Sequence, residues 1–210
     1  MAGGPLLEMH AVGHVYADGS PGLADCSLVI GRGSRNALLG ANGSGKTTLL
    51  LHLNGLLQPS TGCIRIDGRA LDYSRGGLAA LRRRVGLVFQ NPDRQLFSAN
   101  VFEDVSFGPL NLDLDEAGVR ERVAQALAAV GMTGQAERPV HHLSFGQKKR
   151  VCIAGVLAMQ PELLLLDEPM AGLDPGMQED LLRLLDELAA QGISIVLATH
   201  DVDFAYRWAD

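Results

Sequence analysis

The chain has 210 residues, 47% of them hydrophobic, and a formal net charge of −6. That size and apolar content fit one α/β domain with a real core, and the acidic balance speaks against nucleic acid as the main partner. No apolar run approaches the roughly 20 residues of a membrane span, and the N-terminus lacks the features of a secretory signal. The three scattered cysteines suggest reduced thiols of a cytosolic protein rather than a disulfide framework or a zinc site.

Residues 6–30 alternate loosely between apolar and polar side chains around a turn at 18–22, which predicts antiparallel strands. A short apolar strand at 37–39 then runs into Gly-Ala-Asn-Gly-Ser-Gly-Lys-Thr at 40–47, a complete G-x-x-x-x-G-K-[ST] loop, and a helical pattern follows from Thr48 to Asn54-Gly55. Gly40, Gly43 and Gly45 let successive backbone N–H groups curl around a phosphate, and the helix start adds its positive dipole end. Asn42, Ser44 and Thr48 complete the segment expected to touch the nucleotide. Lys46 is placed to reach the β- and γ-phosphates, and the Thr47 hydroxyl to ligate Mg²⁺. The chain is therefore expected to bind a nucleoside triphosphate. Residues 59–62 read as a turn and 63–67 as a strand ending in Asp67-Gly68.

A β-rich run at 85–89 ends in Gln90-Asn91-Pro92, and from there to about residue 140 the pattern is helical. Over 116–130 it places Val119, Val123, Ala126, Leu127 and Val130 on one face. A helical subdomain inserted at about 91–160 is the expectation. The adjacent His141-His142 has no third ligand at sensible spacing and reads as a solvated loop pair. Ser144 with Gln147 forms a capping box that opens a helix. Gly146 in its first turn suggests close backbone approach to a ligand, and the cations Lys148, Lys149 and Arg150 near a positive dipole end suggest a nearby anion or solvent screening. The leucine run at 163–166 reads as a central parallel strand that delivers Asp167-Glu168 to its carboxyl end, where ligands sit in open α/β sheets. Asp167 is placed to hold Mg²⁺ through water, and Glu168 to act as general base on the attacking water. A helix at 176–190 with the stripe Leu181, Leu184, Leu185 and Leu188, then Gly192 and a buried strand at 193–198, completes a mostly parallel sheet.

These motifs in this order resemble the nucleotide-binding subunit of an ABC transporter over nearly the whole chain. Leu-Ser-Phe-Gly-Gln at 143–147 is similar to the L-S-G-G-Q signature, departing at Phe145. The resemblance implies a P-loop NTPase core of ABC-ATPase type with an N-terminal antiparallel β-subdomain and an inserted α-helical subdomain. It further implies a head-to-tail homodimer in which Ser144, Gly146 and Gln147 meet the opposite subunit's MgATP, and Asp174 lies in the loop that reaches across. By the same resemblance Gln90 senses the γ-phosphate and the metal, His200 contacts the γ-phosphate and orients Glu168, and Tyr16 stacks on adenine. Met170 stands where a Thr is usual, and the family commonly continues past the position of Asp210, so a truncated C-terminal end is expected.

More narrowly, the stretches 89–97, 103–109 and 143–157 resemble the ATPase of energy-coupling-factor importers, most of all the cobalt and nickel branch. That implies a transmembrane energy-coupling component and a substrate-binding membrane component as partners, a place at the cytoplasmic face of the membrane, and import of a transition metal. Residues 91–97 would grip the membrane partner through Leu96 and Phe97. Vitamin uptake, or a non-transport ABC-type ATPase, is the alternative. The segment between Gln90 and Leu143 is too short for the long coiled-coil insertion of a DNA-maintenance ATPase.

Overall fold

The computed structural model describes residues 4–210 and arranges them around two four-stranded sheets. Strands β1 (Leu7–Val15) and β2 (Pro21–Ile30) pair antiparallel. β3 (Arg35–Leu39) leaves them for the second sheet and feeds α1 (Lys46–Leu53). β4 (Thr61–Ile66) and β5 (Arg69–Ala70) return to the first, giving the order β2-β1-β4-β5. Asp67 at φ 51° and Gly68 at φ 73° form the two-residue link between β4 and β5, both in the left-handed region that such tight hairpins require.

Two expected turns are shorter than read. Pro21 and Gly22 already belong to β2, and Thr61 and Gly62 to β4. At Gly62 the reason is local: φ is +78°, and a Cβ there would run into the carbonyl oxygens of His10 and Ala11 in β1. The glycine permits close strand approach rather than a chain reversal.

The second half of the chain begins with α2 (Arg75–Arg84), capped by Ser74, which accepts a hydrogen bond from the Gly77 N–H. Its sequence is polar and arginine-rich, and Leu81 is its buried residue. β6 (Val85–Val88), α3 (Val101–Ser106), α4 (Glu116–Ala129), α5 (Phe145–Leu157), β7 (Leu163–Asp167), α6 (Pro175–Ala190), β8 (Ser194–Thr199) and α7 (Val202–Trp208) follow. Helices α3, α4 and α5 pack on one another, with Val105, Val119, Val123, Leu127 and Ile153 buried between them. The second sheet is parallel throughout, in the order β3-β8-β7-β6.

β7 explains the continuous leucine run. All of Leu163–Leu166 are at 0% exposure. Leu163 and Leu165 pack with Leu50, Leu53 and Val196, whereas Leu164 and Leu166 pack with Ile153, Leu185, Ile195 and Leu197. Alternate side chains of one strand thus enter two cores, as the two-residue period of a strand dictates. A third link joins the sheets at their other end: Arg84 pairs with Glu162 and, at 2.8 Å, with Asp67, while Arg32 pairs with Asp67 and, at 2.8 Å, with Glu162. Leu165→Ala should destabilise the fold by about 2–5 kcal/mol, the range for an aliphatic truncation in a core that cannot collapse. Chemical denaturation at fixed nucleotide concentration measures this, and a loss under about 1 kcal/mol would contradict the burial described.

Candidate active site

The loops after β3, β6, β7 and β8 gather at the carboxyl edge of the parallel sheet. A cleft of about 320 Å³ there is lined by Asn42, Gly43, Ser44, Gly45, Lys46, Thr47 and Thr48, with Tyr16, Gln90, Asp167 and Glu168 across from them. Gly40 stands just behind the cleft, where its carbonyl accepts from Lys46 Nζ at 2.6 Å. Gly45 has φ +93°, and a Cβ on it would lie 2.7 Å from the Gly22 carbonyl oxygen. No side chain caps α1, so the N–H groups of its first turn remain to bind an anion. A larger cavity of about 560 Å³ lies on the other side of Glu168, beside His200, Asp186 and Trp208. The phosphate loop does not reach it, so the anion-binding chemistry belongs to the smaller cleft.

At the end of β7, Asp167 Oδ2 accepts from Thr47 Oγ1 at 2.7 Å. Burial pushes the Asp167 carboxyl above the ordinary range, with the Thr47 hydrogen bond pulling the other way and the Glu168 charge adding to the rise. Glu168 has φ 44°, a left-handed conformation that costs a residue with a Cβ on the order of 1–3 kcal/mol and persists only where the surroundings hold it. Its N–H donates to the Ala198 carbonyl at 3.0 Å, and its carbonyl accepts from Ala171 N–H at 3.1 Å. His200 Nδ1 lies 3.0 Å from Glu168 Oε2. Lys46 Nζ lies 3.3 Å from Oε1, yet that buried oxygen has no hydrogen-bond partner. The two facts agree once geometry is considered: the pair is close enough for Coulomb attraction but misaligned for a hydrogen bond, and Oε1 keeps an unused acceptor.

Tyr16 is anchored by a 2.7 Å contact between its hydroxyl and Thr48 Oγ1, so the Thr48 side chain positions the aromatic ring. Beneath it His14 packs edge-on against both Tyr16 and His52, each at 4.7 Å between centroids. Burial pushes His52 below the ordinary imidazole range. Gly22 is part of this site although the sequence marks it only as a turn residue, since a Cβ there would lie 2.9 Å from Tyr16 Cε2.

Besides Gly40 behind it and His200 beside the larger cavity, four expected site residues lie outside the cleft. Ser144 and Gln147 form the full capping box of α5, Gly146 lines a separate cavity of about 310 Å³ between α5 and α6, and Asp174 caps α6 by accepting from Met177 N–H at 2.9 Å. Gly146 has an internal reason to be glycine: a Cβ would meet Met177 Sδ at 2.5 Å. For two of the cations at 148–150 the expected nearby anion is a carboxylate of the chain itself. Lys148 pairs with Asp93 at 2.7 Å and Arg150 with Asp180 at 2.9 Å, while buried Lys149 donates to backbone carbonyls. Burial lowers the Lys149 ammonium to about 8. Of the two residues expected to grip a partner, Leu96 packs against the core, and Phe97 is 66% exposed with its ring 5.0 Å from that of Phe107.

A glycine loop around a helix N-terminus, a lysine and a hydroxyl at its end, and a carboxylate pair at the end of β7, two strands along the sheet, define a P-loop nucleoside-triphosphatase. Residues 23–171 match the family described as ABC transporter, and the chain belongs to that family as an ATP-binding ATPase. It is 50% identical to the energy-coupling factor transporter ATP-binding protein EcfA of Methanothermobacter thermautotrophicus, covering 98% of this chain and 66% of the relative. It is 53% identical to the cobalt import ATP-binding protein CbiO of Rhodobacter capsulatus, covering 98% and 74%. Among solved structures, CbiO1 of Clostridium perfringens, part of an ABC transporter complex, superposes with a TM-score of 0.89 at 47% identity over 99% of this chain and 83% of that one. An ATP-binding cassette solved as a dimer in a post-hydrolysis state with ADP and Pi gives 0.86 at 28% identity over 97% and 91%. The chain is thus an ATPase component of the energy-coupling-factor and CbiO type, and among the described residues no helix is long and apolar enough to cross a membrane.

The raised Asp167 carboxyl has a consequence for stability. The folded state holds that proton more tightly than the unfolded chain, so stability falls as pH rises from the ordinary carboxylate value of 3.8 through the raised one. Asp167→Asn, which still accepts from Thr47, should therefore melt higher than the parent at pH 7 without nucleotide or metal. The difference should shrink toward about pH 4. Calorimetry across that range checks it, and a gap that widens on acidification would contradict the burial argument.

Proposed function

We propose that this chain hydrolyses ATP as a homodimer at the cytoplasmic face of the membrane, powering import of a transition metal ion, cobalt or nickel, through a transmembrane energy-coupling component and a substrate-binding membrane component. The observation that carries the catalytic part is the left-handed Glu168, with one carboxylate oxygen against His200 and the other unpaired beside Lys46. The cobalt-import relative and the CbiO1 structure support the metal reading. The relatives described only as energy-coupling factor proteins support vitamin uptake as the second reading.

In this reading residues 1–210 are one ABC ATPase domain with a helical subdomain at about 91–160. The loop of Gly40, Asn42, Gly43, Ser44 and Gly45 holds the triphosphate with Lys46, and Tyr16 takes the adenine on a ring fixed by Thr48. Thr47, Asp167 and Gln90 offer hard oxygen ligands suited to Mg²⁺, which takes few protein groups beside phosphate and water. The Thr47–Asp167 contact already brings two of them together. When bound, that ion neutralises charge on the phosphates. Glu168 accepts the proton of the attacking water through its unpaired Oε1, and His200 fixes the other oxygen so that the carboxylate cannot rotate away. Ser144, Gly146 and Gln147, with Asp174, serve the nucleotide of the opposite subunit; the cassette solved as a dimer supports that arrangement. Closure on ATP and opening after hydrolysis then drive the membrane partner by differential contact with the two states.

Glu168→Gln should leave ATP binding within a few-fold and slow hydrolysis by at least about 10², the low end for loss of a general base. Calorimetric ATP titration and phosphate release measure the two separately, and near-parental hydrolysis would remove the assigned role.

The exposed Phe97–Phe107 pair is the surface proposed for the membrane partner's cytoplasmic helix. Phe97→Asp should reduce co-purification with the membrane components and stop metal uptake, while basal ATP hydrolysis stays within about threefold because Phe97 does not line the cleft. Lost hydrolysis with unchanged co-purification would make Phe97 an ordinary structural residue.

A further inference from the structure

Lys149 is 3% exposed and has no carboxylate within ion-pair distance among the described residues. Its ammonium instead donates to three backbone carbonyls, those of Glu168 at 3.3 Å, Pro169 at 2.6 Å and Ala171 at 2.7 Å. An ammonium has three N–H bonds, so every donor is committed to the turn that leaves β7. The first of those carbonyls belongs to the residue whose backbone is left-handed. Phe145 closes the arrangement from the other side. Its ring lies 5.4 Å from Lys149 Nζ, and a Cβ on Gly172 would sit 2.9 Å from Phe145 Cε1. A cation over a ring face is attracted to it, so the residue that departs from the L-S-G-G-Q pattern covers the buried charge and packs on the same turn. The first two turns of α5 and residues 168–172 are therefore fastened to each other through one side chain.

The geometry points to Lys149 as a positioning residue for Glu168: it holds the Glu168 carbonyl in the conformation that presents the carboxylate to Lys46 and His200, and it ties that conformation to the helix start carrying Ser144 and Gly146. Lys149 does not line the phosphate-loop cleft and acts only through the turn. A rigid, fully satisfied clamp suits this task, because a catalytic group displaced by about 1 Å can lose two orders of magnitude in rate. Replacing the ammonium by hydrocarbon leaves the carbonyls without their donor and frees Glu168 to relax from its strained backbone. This inference rests on the assignment of Glu168 as the base.

The test is steady-state ATP hydrolysis by the full chain carrying Lys149→Met or Lys149→Arg, with melting temperature recorded for each. Lys149→Met should lower kcat roughly tenfold to a hundredfold while KM for ATP stays within about threefold. Lys149→Arg, which keeps the charge and the donors, should recover most of the loss. In single-turnover assays on a Glu168→Gln background, Lys149→Met should cause no further slowing, since it acts through the carboxylate already removed. A KM that rises in step with the loss, an arginine no better than methionine, or equal slowing in both backgrounds would overturn the inference in favour of plain packing. Failure of the underlying assignment shows separately, as near-parental hydrolysis by Glu168→Gln alone. Should Lys149→Met fail to fold by circular dichroism, Lys149→Leu, which likewise carries no donor, takes its place with the same readings.

Discussion

The carboxyl edge of the molecule depends on a strand that cannot move. β7 is buried on both faces and hydrogen-bonded on both sides, to β6 and to β8. Shifting its register by one residue would exchange the leucines that enter one core with those that enter the other. Asp167 and Glu168 inherit that fixity. Their position is set not by local propensity but by the packing of Leu163–Leu166 behind them, which lets the next residue adopt a backbone conformation unfavourable on its own.

Around that edge the chain satisfies polar groups unevenly. Away from the cleft, Asn54 donates to the Val85 carbonyl at 2.6 Å, whereas His14 Nδ1, His52 Nε2, the Tyr73 hydroxyl and Arg122 Nη1 are buried without a partner. Inside it, pairing is also incomplete: α1 has no side-chain cap, and one oxygen of Glu168 has no donor. Unsatisfied groups are costly in a protein interior, and the unpaired Glu168 oxygen, beside the uncapped start of α1, is the one of them that lines the cleft where a ligand's atoms can be received.

Much of this was legible in the chain. The phosphate loop combines glycine backbone freedom with a strand–helix context, and the leucine run admits few meanings besides a doubly buried strand. The capping box at Ser144 also appears as read. What escaped the sequence depends on three-dimensional neighbours. Lys149 looks like one of a run of surface cations; only the fold turns it inward onto carbonyls of a segment some twenty residues later. Gly146 suggested ligand approach; within the chain a Cβ there would also meet the sulfur of Met177, and no local pattern links those positions. Helix α2 carries mostly arginine, glycine and alanine around only two leucines, so its sequence is too polar to stand out as a core helix, although Leu81 is buried. Gly22 serves Tyr16 across a chain reversal that composition alone describes as a turn.

The sharing of β7 between two cores also bears on how the molecule comes apart. Domains that own separate cores can open one at a time, and their amides then exchange with solvent on different clocks. Here the helical side and the β side both rest on alternate leucines of a single strand. Exposing either set removes the support of the other, so the amides of β7 and β8 exchange only when the whole molecule opens. Asp167 and Glu168 thus sit at the end of the last part of the structure to be given up.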